Sequence, residues 1–257
     1  MRLSPFAPID ALRAPPPEPA RVAWLAGREY AHRGLHDDVV PENSPAAFAG
    51  AIARGMGIEC DVQKTADGRA MVFHDWELDR LTDQTGATGA HTVAELEQLT
   101  LLGSAERVPS LDRVLDQVAG QVPLIIEIKS KRDRKVSPLC LAVLRALEGY
   151  RGDHAVMSFD PRVGRWFSVH APQTVRGLVI TEEGKRGLRG TIERHLALWH
   201  AAPDFIAYDV RDLPSRFAAA QRARGLPVLT WTVSTGELRE RAAVHADAPI
   251  AEGEGVA

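Results

Sequence analysis

The order of apolar and polar positions along the chain predicts alternating strands and helices. Short, mostly apolar runs lie near residues 30, 59, 126, 157, 178, 207, 230 and 250. Between these runs, apolar residues recur every three or four positions behind a capping residue, as they do from Ser44 to Gly55, which is the pattern of an amphipathic helix. Alternating strands and helices form a parallel sheet covered by helices. Eight such strands in 257 residues predict an α/β fold of the (β/α)8 TIM-barrel type. A doubly wound open sheet is the second choice, because no glycine-rich phosphate loop follows the first strand.

The segment from residue 57 to residue 75 departs from this alternation. The apolar run at 58–62 is followed by a turn signature, Thr65-Ala66-Asp67-Gly68, and by a second run at 70–73. Parallel neighbours need a crossover of about a dozen residues, so the second run is predicted to be the other arm of a hairpin. Folding this hairpin brings His74 close to Asp61. The stretch from 75 to 109 is too long for a plain loop, and we expect a small insertion there.

The domain organisation follows from these elements. Residues 29–257 are predicted to form the barrel, including the insertion at 75–109. Residues 1–28 form a proline-rich segment that we expect to wrap around the barrel, without regular structure in residues 1–20.

Composition excludes several classes of protein. A net charge of -3 and a pI near 6.3 leave no basic footprint for nucleic acid. The two cysteines have no zinc-type spacing. No run approaches 18 apolar residues, so no transmembrane segment is predicted, and the first residues lack a signal-peptide pattern. We therefore expect a cytoplasmic protein.

Acidic residues occupy strand positions that point the same way. Glu59 and Asp61 lie two apart, so their side chains share one face of a strand and Cys60 points to the other. Glu127 ends the next parallel strand, and barrel active sites lie at the carboxyl ends of the strands. Three carboxylates suit a hard divalent cation, Mg²⁺ or Ca²⁺.

Cationic and imidazole side chains belong to the same strand ends. Arg33 and Lys129 supply positive charge for an anionic group such as a phosphate. His32 and His74 can serve as general acid and base near neutral pH. Polar residues inside apolar strands are costly to bury without compensation, which favours function over structure here and indicates metal-assisted phosphodiester cleavage. The other histidines lie in loops or on helix faces and are interpreted as non-catalytic.

A set of short motifs runs along the chain. They are His32-Arg33-Gly34, Pro41-Glu42-Asn43-Ser44, Glu59-Cys60-Asp61-Val62, Thr65-Ala66-Asp67-Gly68, His74-Asp75, Leu78-Asp79-Arg80-Leu81-Thr82, Pro109-Ser110-Leu111 and Glu127-Ile128-Lys129. These motifs cover residues 31 to about 130 densely, and Ser158-Phe159 and Trp231-Thr232-Val233 extend them. Together they resemble one known family, that of the glycerophosphodiester phosphodiesterases.

The resemblance implies a (β/α)8 barrel with an insertion after the His-Asp motif. It implies a phosphoric diester hydrolase that converts glycerophosphodiesters to an alcohol and sn-glycerol 3-phosphate with Ca²⁺ or Mg²⁺. The site residues implied by the resemblance are metal ligands Glu59, Asp61 and Glu127, catalytic His32 and His74, substrate-binding Arg33, Lys129, Phe159 and Trp231, and supporting Glu42 and Asn43. Within this set, His74 is expected to take a proton from the nucleophile and His32 to protonate the leaving alcohol. The partner is then a small glycerophosphodiester from lipid and glycerol metabolism.

The sequence departs from the family pattern at a few positions. Ser44 stands where Thr is usual, and Trp76 follows the His-Asp pair. The usual Thr-Asp-x-Pro ending is replaced by Ala248-Pro249-Ile250-Ala251-Glu252. Two alternatives remain open, a lysophospholipase D-type enzyme on the same barrel and a non-catalytic phosphate-binding barrel.

Overall fold

The structure is a computed structural model, and it describes residues 6–257. Its strands are β1 (Tyr30–Ala31), β2 (Gly57–Lys64), β3 (Ala70–Val72), β4 (Leu124–Ile128), β5 (His154–Ser158), β6 (Val175–Ile180), β7 (Phe205–Asp209), β8 (Val228–Val233) and β9 (Ala248–Ala251). Its helices are α1 (Ala7–Arg13), α2 (Pro19–Val22), α3 (Pro45–Ala53), α4 (Val93–Leu96), α5 (Leu111–Val118), α6 (Ser137–Ala146), α7 (Pro161–His170), α8 (Leu188–Ala201), α9 (Arg216–Ala223) and α10 (Gly236–His245). Single 3₁₀ turns cover Ala23–Leu25, Thr88–Ala90, Val210–Asp212 and Gly253–Gly255.

The predicted fold class is confirmed. Eight strands, β1, β2 and β4 to β9, run parallel and alternate with helices, and β3 is an antiparallel addition to β2. These elements are those of a (β/α)8 barrel rather than a doubly wound sheet. The chain divides into two compact units, residues 30–154 and residues 6–29 with 155–257.

In the unit of residues 30–154, β2 is the central strand. It pairs in parallel with β1 and β4, and the register sets Asp61 opposite Glu127. The hairpin predicted from the turn signature is present, with Val62 opposite Val72, and the amide of Phe73 donates to the carbonyl of Asp61. His74 therefore follows directly on the residue that faces Asp61.

The insertion at 75–109 packs on its own apolar core. Leu78, Leu96 and Leu101 are fully buried there, together with Phe73 of the hairpin, whereas Leu102 is exposed. Its short helix α4 begins with a capping box, as the Thr92-x-x-Glu95 spacing predicts.

Helix starts show why local sequence determines these elements, and where it misleads. Ser44 caps α3, because its hydroxyl accepts a hydrogen bond from the Ala47 amide at 3.1 Å. The apolar positions after Ser110 likewise predict an N-cap there, and Ser110 does directly precede α5, but its side chain makes no capping hydrogen bond. Its hydroxyl is turned towards the Glu97 carboxylate, to which it donates at 2.7 Å, and a hydrogen bond to an ionised acceptor is stronger than a neutral one.

In the other unit, β5 to β9 pair in sequence order. The expectation of irregular structure in residues 1–20 is wrong for the described part, because α1 and α2 are helical. Proline is tolerated in the first helical turn, where Pro8 and Pro19 lie. Buried Asp10 of α1 lies 2.8 Å from His195 of α8 and accepts hydrogen bonds from the side chains of Trp199 and Gln221. Residues 1–5 of the predicted wrapping segment lie outside the described residues.

Candidate active site

Three buried carboxylates meet on neighbouring strands, Glu59 and Asp61 in the middle of β2 and Glu127 next to the last residue of β4. Glu59 and Asp61 alternate with Cys60 along β2, and the strand register brings Glu127 beside Asp61. One carboxylate oxygen from each residue lies within 4.8 Å of the others. Their exposed fractions are 1%, 2% and 8%. The spacing predicted from strand alternation is thus realised as a cluster.

The pKa values of the three carboxylates are shifted in different directions. Burial, followed by the charges of Asp61 and Glu127, raises the pKa of Glu59 well above its usual range. Burial also works to raise the pKa of Asp61, but the charges of Lys129 and Arg33 outweigh it and lower that pKa. The pKa of Glu127 is raised, chiefly by burial. At least one proton is therefore retained within the cluster more readily than in water.

Two cations lie against these carboxylates. Arg33 Nε is 3.3 Å from an oxygen of Asp61. Lys129 Nζ is 3.3 Å from Asp61 and 3.1 Å from Glu127. Burial opposes the charge of Lys129, but Glu127 and Asp61 raise its pKa, so it stays protonated. Both cations can thus offer charged hydrogen bonds to an anion that enters the site.

The donor set fits a hard divalent cation. Three carboxylates face two cationic side chains, so the ionised cluster retains one negative charge, and a cation would relieve the repulsion that raises the pKa of Glu59. Only oxygen atoms are offered, as Mg²⁺ and Ca²⁺ prefer.

The loop after β1 holds the cluster through backbone and side-chain contacts. Arg33 and Asn43 both adopt left-handed conformations, each with φ of 55°, which is unusual for residues other than glycine. This geometry lets the Arg33 amide donate to Glu59 at 3.0 Å and the Asn43 amide donate to the Arg33 carbonyl at 2.7 Å. The Asn43 side chain donates to the Asp61 carboxylate at 3.1 Å and accepts from the Asp61 amide at 3.3 Å. The loop therefore fixes both carboxylates of β2.

His74 follows β3 with one ring nitrogen engaged by the neighbouring acid. Its Nδ1 lies 2.6 Å from Oδ1 of Asp75. A hydrogen bond from Arg80 is the main cause that lowers the pKa of Asp75 to about 2, so this carboxylate is ionised at neutral pH and accepts the Nδ1 proton. Burial lowers the pKa of His74. The ring is therefore neutral, with Nε2 as its acceptor nitrogen.

A chain of ion pairs links the carboxylate cluster to His74. Glu42 accepts hydrogen bonds from Arg33 at 2.8 Å and from both terminal nitrogens of Arg80 at 2.8 and 2.9 Å. Arg80 in turn donates to both oxygens of Asp75 at 2.5 and 3.0 Å. The pairs run in the order Asp61, Arg33, Glu42, Arg80, Asp75, His74.

Sequence reasoning missed three members of this arrangement. Asp75 and Arg80 belong to motifs of the family, but neither their spacing nor the resemblance assigns them a role. Gln63 was not singled out, although it continues the two-residue spacing of Glu59 and Asp61. Its side-chain amide donates to the carbonyls of Phe73, His74 and Asp75 at 3.0, 3.1 and 2.5 Å, which fixes the backbone that carries His74.

The remaining predicted site residues lie as follows. His32 is half-buried directly after β1. Burial raises the pKa of Asp61, and the charges of Lys129, Arg33, His74 and His32, in decreasing order, lower it. Phe159 follows β5 and Trp231 lies in β8, both in the other unit. Their rings meet edge-on with centroids 5.3 Å apart, and 47% of Phe159 is exposed.

No helix among residues 6–257 is both long and apolar enough to cross a membrane.

Comparison with known proteins extends this description. Residues 32–248 match the family described as "Glycerophosphoryl diester phosphodiesterase family". A glycerophosphodiester phosphodiesterase of Caldanaerobacter subterraneus is 29% identical over 225 residues, which cover 82% of this chain and 87% of that protein.

Solved structures give the same picture of the fold. A putative glycerophosphoryl diester phosphodiesterase of Silicibacter pomeroyi superposes with a TM-score of 0.77 at 25% identity, covering 90% of this chain and 93% of that one. An Oleispira antarctica phosphodiesterase, solved in complex with the product sn-glycerol-3-phosphate, also has a TM-score of 0.77, at 22% identity, and the match covers 88% of this chain and 93% of that chain.

Proposed function

The chain belongs to the glycerophosphoryl diester phosphodiesterase family, and we propose that it hydrolyses glycerophosphodiesters to an alcohol and sn-glycerol 3-phosphate with a divalent cation and two histidines. The observation that carries this proposal is the cluster of Glu59, Asp61 and Glu127 beside two cationic side chains and the Asp75-bound imidazole of His74. The product complex of the Oleispira antarctica relative supports the choice of product.

Glu59, Asp61 and Glu127 would hold the cation, which is Mg²⁺ or Ca²⁺ on the chemistry of an all-oxygen donor set. When bound, the cation supplies positive charge that stabilises the developing charge on the phosphate. Asn43 keeps the Asp61 carboxylate oriented through its two hydrogen bonds. The Arg33 amide does the same for Glu59.

Arg33 and Lys129 bind the phosphate of the substrate. Both are held at the cluster before substrate arrives, because each is paired with Asp61. Preorganised cations of this kind stabilise charge in the transition state without a further cost of ordering. Glu42 also holds Arg33, because its carboxylate accepts a hydrogen bond from Nη1 of Arg33 at 2.8 Å.

His74 acts as the general base. Asp75 fixes the proton on Nδ1, so Nε2 can accept the proton of the nucleophile. The nucleophile is either the 2-hydroxyl of the glycerol, which gives a cyclic phosphate that water opens, or water itself. His32 protonates the departing alcohol. This division requires one neutral and one protonated imidazole in the working enzyme.

Phe159 and Trp231 are the proposed contacts to the glycerol, as the family resemblance implies. Their edge-on packing and the hydrogen bond from Trp231 to the Ala207 carbonyl give this aromatic pair a fixed shape. We also propose that the enzyme acts in the cytoplasm, in the turnover of lipid head groups.

The lysophospholipase D-type alternative gains no support from the insertion. An acyl chain needs an apolar slot, but Leu96 and Leu101 are buried in the core of the insertion and Leu99 packs against it. A non-catalytic barrel would be expected to lack a catalytic histidine or a carboxylate ligand. None of these is missing among the described residues.

The test is release of the alcohol from glycerophosphocholine, glycerophosphoethanolamine and a lysophospholipid, with glycerol 3-phosphate as the second product of the first two and lysophosphatidic acid as that of the third. Protein stripped with a chelator is assayed alone, with Mg²⁺ and with Ca²⁺, beside the Asp61→Asn variant. Metal-dependent release from the two deacylated substrates, abolished in the variant, is the expected result. Release from the lysophospholipid alone would favour the alternative, and no release from any substrate would refute the proposed function.

A further inference from the structure

A second recess opens next to the carboxylate cluster within the unit of residues 30–154. It has a volume of about 220 Å³ and is bounded by the end of β2, the loop between β4 and α6, and the insertion around Trp76. Lys129, which contacts Asp61 and Glu127, lies in its wall. Lys129 therefore belongs both to the wall of this recess and to the place where the phosphate is proposed to bind.

The wall of this recess is strongly cationic. Five of its side chains carry positive charge, and none of its lining residues, all of them in the described chain, is acidic. The five are Lys64, Lys129, Lys131, Arg134 and Lys135. We call this recess the basic cleft.

Three of the five cations, Lys64, Arg134 and Lys135, form no ion pair with a carboxylate among residues 6–257. Lys129 is paired with carboxylates, but the Lys64 ammonium donates to a neutral carbonyl, that of Thr65, at 2.9 Å. Lys131 lies over the ring of Trp76, with its nitrogen 4.6 Å from the ring centroid. A concave site lined by one sign of charge focuses the field and attracts the opposite charge.

A lysine-rich loop is in most proteins a solvated surface, and two features distinguish this one. Its charges line a concave, partly open recess that also has an aromatic wall, Trp76, rather than a convex surface. The recess also shares Lys129 with the carboxylate cluster. A substrate whose phosphate reaches Lys129 therefore extends one of its two halves towards the cleft.

The positive charge of the basic cleft indicates which half of the substrate extends into it. Glycerol is uncharged, so it has no group that would pair with the four cations of the cleft other than Lys129. The other half, the alcohol, varies among glycerophosphodiesters and can carry its own phosphate or carboxylate. We propose that the basic cleft binds the leaving alcohol and selects alcohols that carry an additional anionic group. This inference rests on the proposed function and specifies its substrate class.

The test compares substrates that differ by one anionic group. Glycerophosphoinositol 4-phosphate is paired with glycerophosphoinositol, and glycerophosphoserine with glycerophosphoethanolamine. We expect kcat/KM to be about tenfold higher or more for the anionic member of each pair, the effect of one charged hydrogen bond. A preference in the first pair alone identifies a phosphate site, and one in both pairs a general anion site. Equal values within both pairs overturn the inference.

Variants then locate the preference. The double variant Arg134→Ala/Lys135→Ala removes two exposed charges of the cleft, and Arg132→Ala removes an exposed charge of the same loop that does not line it. The double variant is expected to lose the preference while its kcat/KM on the neutral substrates stays within about twofold, a change of less than 0.5 kcal/mol. Arg132→Ala is expected to behave as wild type. A loss of preference equal in both variants would assign it to the general charge of the loop and refute the cleft.

Binding measurements separate this inference from the proposed function. Calorimetry with inositol 4-phosphate and with inositol reports on the cleft without turnover. Turnover of the neutral substrates with no preference for anionic ones supports the proposed function and refutes the cleft. Binding of inositol 4-phosphate that is lost in the double variant, with no turnover of any substrate, supports the cleft as an anion site and refutes the proposed function.

Discussion

The Nδ1 atom of His74 lies 2.6 Å from Oδ1 of Asp75, and Arg80 donates to both oxygens of that same carboxylate. An ionised acid therefore fixes the tautomer of the imidazole, and an arginine fixes the acid. Arg80 also donates a hydrogen bond to Glu42, and Glu42 accepts another from Arg33. His74, the proposed base, and Arg33, the proposed phosphate-binding arginine, therefore belong to one network. Members of one network are not expected to act independently when they are changed.

Replacing Asp75 by Asn should impair the base. Burial lowers the pKa of His74, and the bond to Asp75 works to raise it. Loss of the carboxylate charge should therefore move the acidic limb of the kcat/KM profile to lower pH, and loss of the fixed tautomer should reduce kcat at least about tenfold. Steady-state kinetics between pH 5 and 9 measure both. Asp83→Asn, an exposed acid of the same insertion, serves as control, and an unchanged profile in Asp75→Asn would remove this acid from the mechanism.

Replacing Arg80 by Ala should change how stability depends on pH. The pKa of Asp75 is lowered to about 2, chiefly by the hydrogen bond from Arg80, and the unfolded value is about 3.9. A carboxylate whose pKa is lower in the folded protein than in the unfolded one stabilises the folded state at pH values above its unfolded pKa. That stabilisation is lost as the pH falls through its pKa in the folded protein. The difference in free energy of unfolding between wild type and Arg80→Ala should therefore be largest above about pH 4 and shrink towards pH 2.

Denaturant titrations at pH 7, 4 and 2.5 check this expectation. The control is Arg107→Ala, another exposed arginine of the insertion, which donates to the neutral amide of Gln98 at 2.7 Å. A constant difference for Arg80→Ala across these pH values would contradict the role given to its ion pairs.

Binding of the cation should release a proton from Glu59. Burial and the neighbouring carboxylates raise the pKa of Glu59 in the metal-free protein, so this residue keeps its proton to a higher pH than a free glutamate does, and a cation must displace that proton. Apparent affinity for Mg²⁺ or Ca²⁺ should rise from pH 5.5 to 7.5. Because the pKa of Glu59 is raised in the folded protein, the metal-free protein loses stability as the pH rises through that pKa. The increase in the free energy of unfolding on metal binding should therefore be larger at the higher pH.

Calorimetry in two buffers of different ionisation enthalpy counts the released protons. Glu59→Gln should release fewer, and Glu77→Gln, an exposed glutamate of the insertion, should match wild type. Affinity that does not vary with pH would show that Glu59 is not a ligand that titrates in this range.

The sequence was informative where a short-range rule determines the outcome. Strand alternation placed Glu59 and Asp61 on one face, and the β/α rhythm identified the barrel, because side-chain parity and crossover length follow from local geometry. The proline-rich start was misjudged because proline count says little about position. Pro8 and Pro19 occupy first helical turns, where they are compatible with a helix.

Other features depend on contacts between distant segments and could not be read from spacing. The hydrogen bonds from Asn43 to Asp61 and from Arg80 to Glu42 join residues 18 and 38 positions apart. The left-handed backbone of Arg33 has no signal in residue type, since arginine has no preference for that conformation. Gln63 alone had an accessible signal, because it continues the period of the two acids.

Asn43 offers a way to separate backbone strain from side-chain contact. Asn43→Gly and Asn43→Ala both remove the amide that holds Asp61, and both should weaken cation binding. Only alanine retains the steric cost of φ 55°, so Asn43→Ala should be less stable than Asn43→Gly by about 1 kcal/mol. Ala119, which ends α5 at φ 47°, is the matched control, and Ala119→Gly should stabilise the protein without affecting cation binding. Equal stability of the two Asn43 variants would show that the loop relaxes.

The last prediction concerns the division of roles between His32 and His74. Alanine at either position should lower kcat at least about 100-fold, the lower end of the contribution of a general acid or base, whereas His91→Ala in the insertion should have no effect. Because one imidazole must be neutral and the other protonated, kcat/KM of the wild type should be bell-shaped in pH, and each variant should lose one limb. A substrate with a nitrophenolate leaving group needs no protonation, so it should rescue His32→Ala and leave His74→Ala slow. Rescue of His74→Ala instead would reverse the assignment, although the bond between Nδ1 and Asp75 argues against that, since it leaves Nε2 as an acceptor. Normal turnover in both variants would rule out acid–base catalysis by either histidine and leave the carboxylate cluster with its cation as the source of the activity.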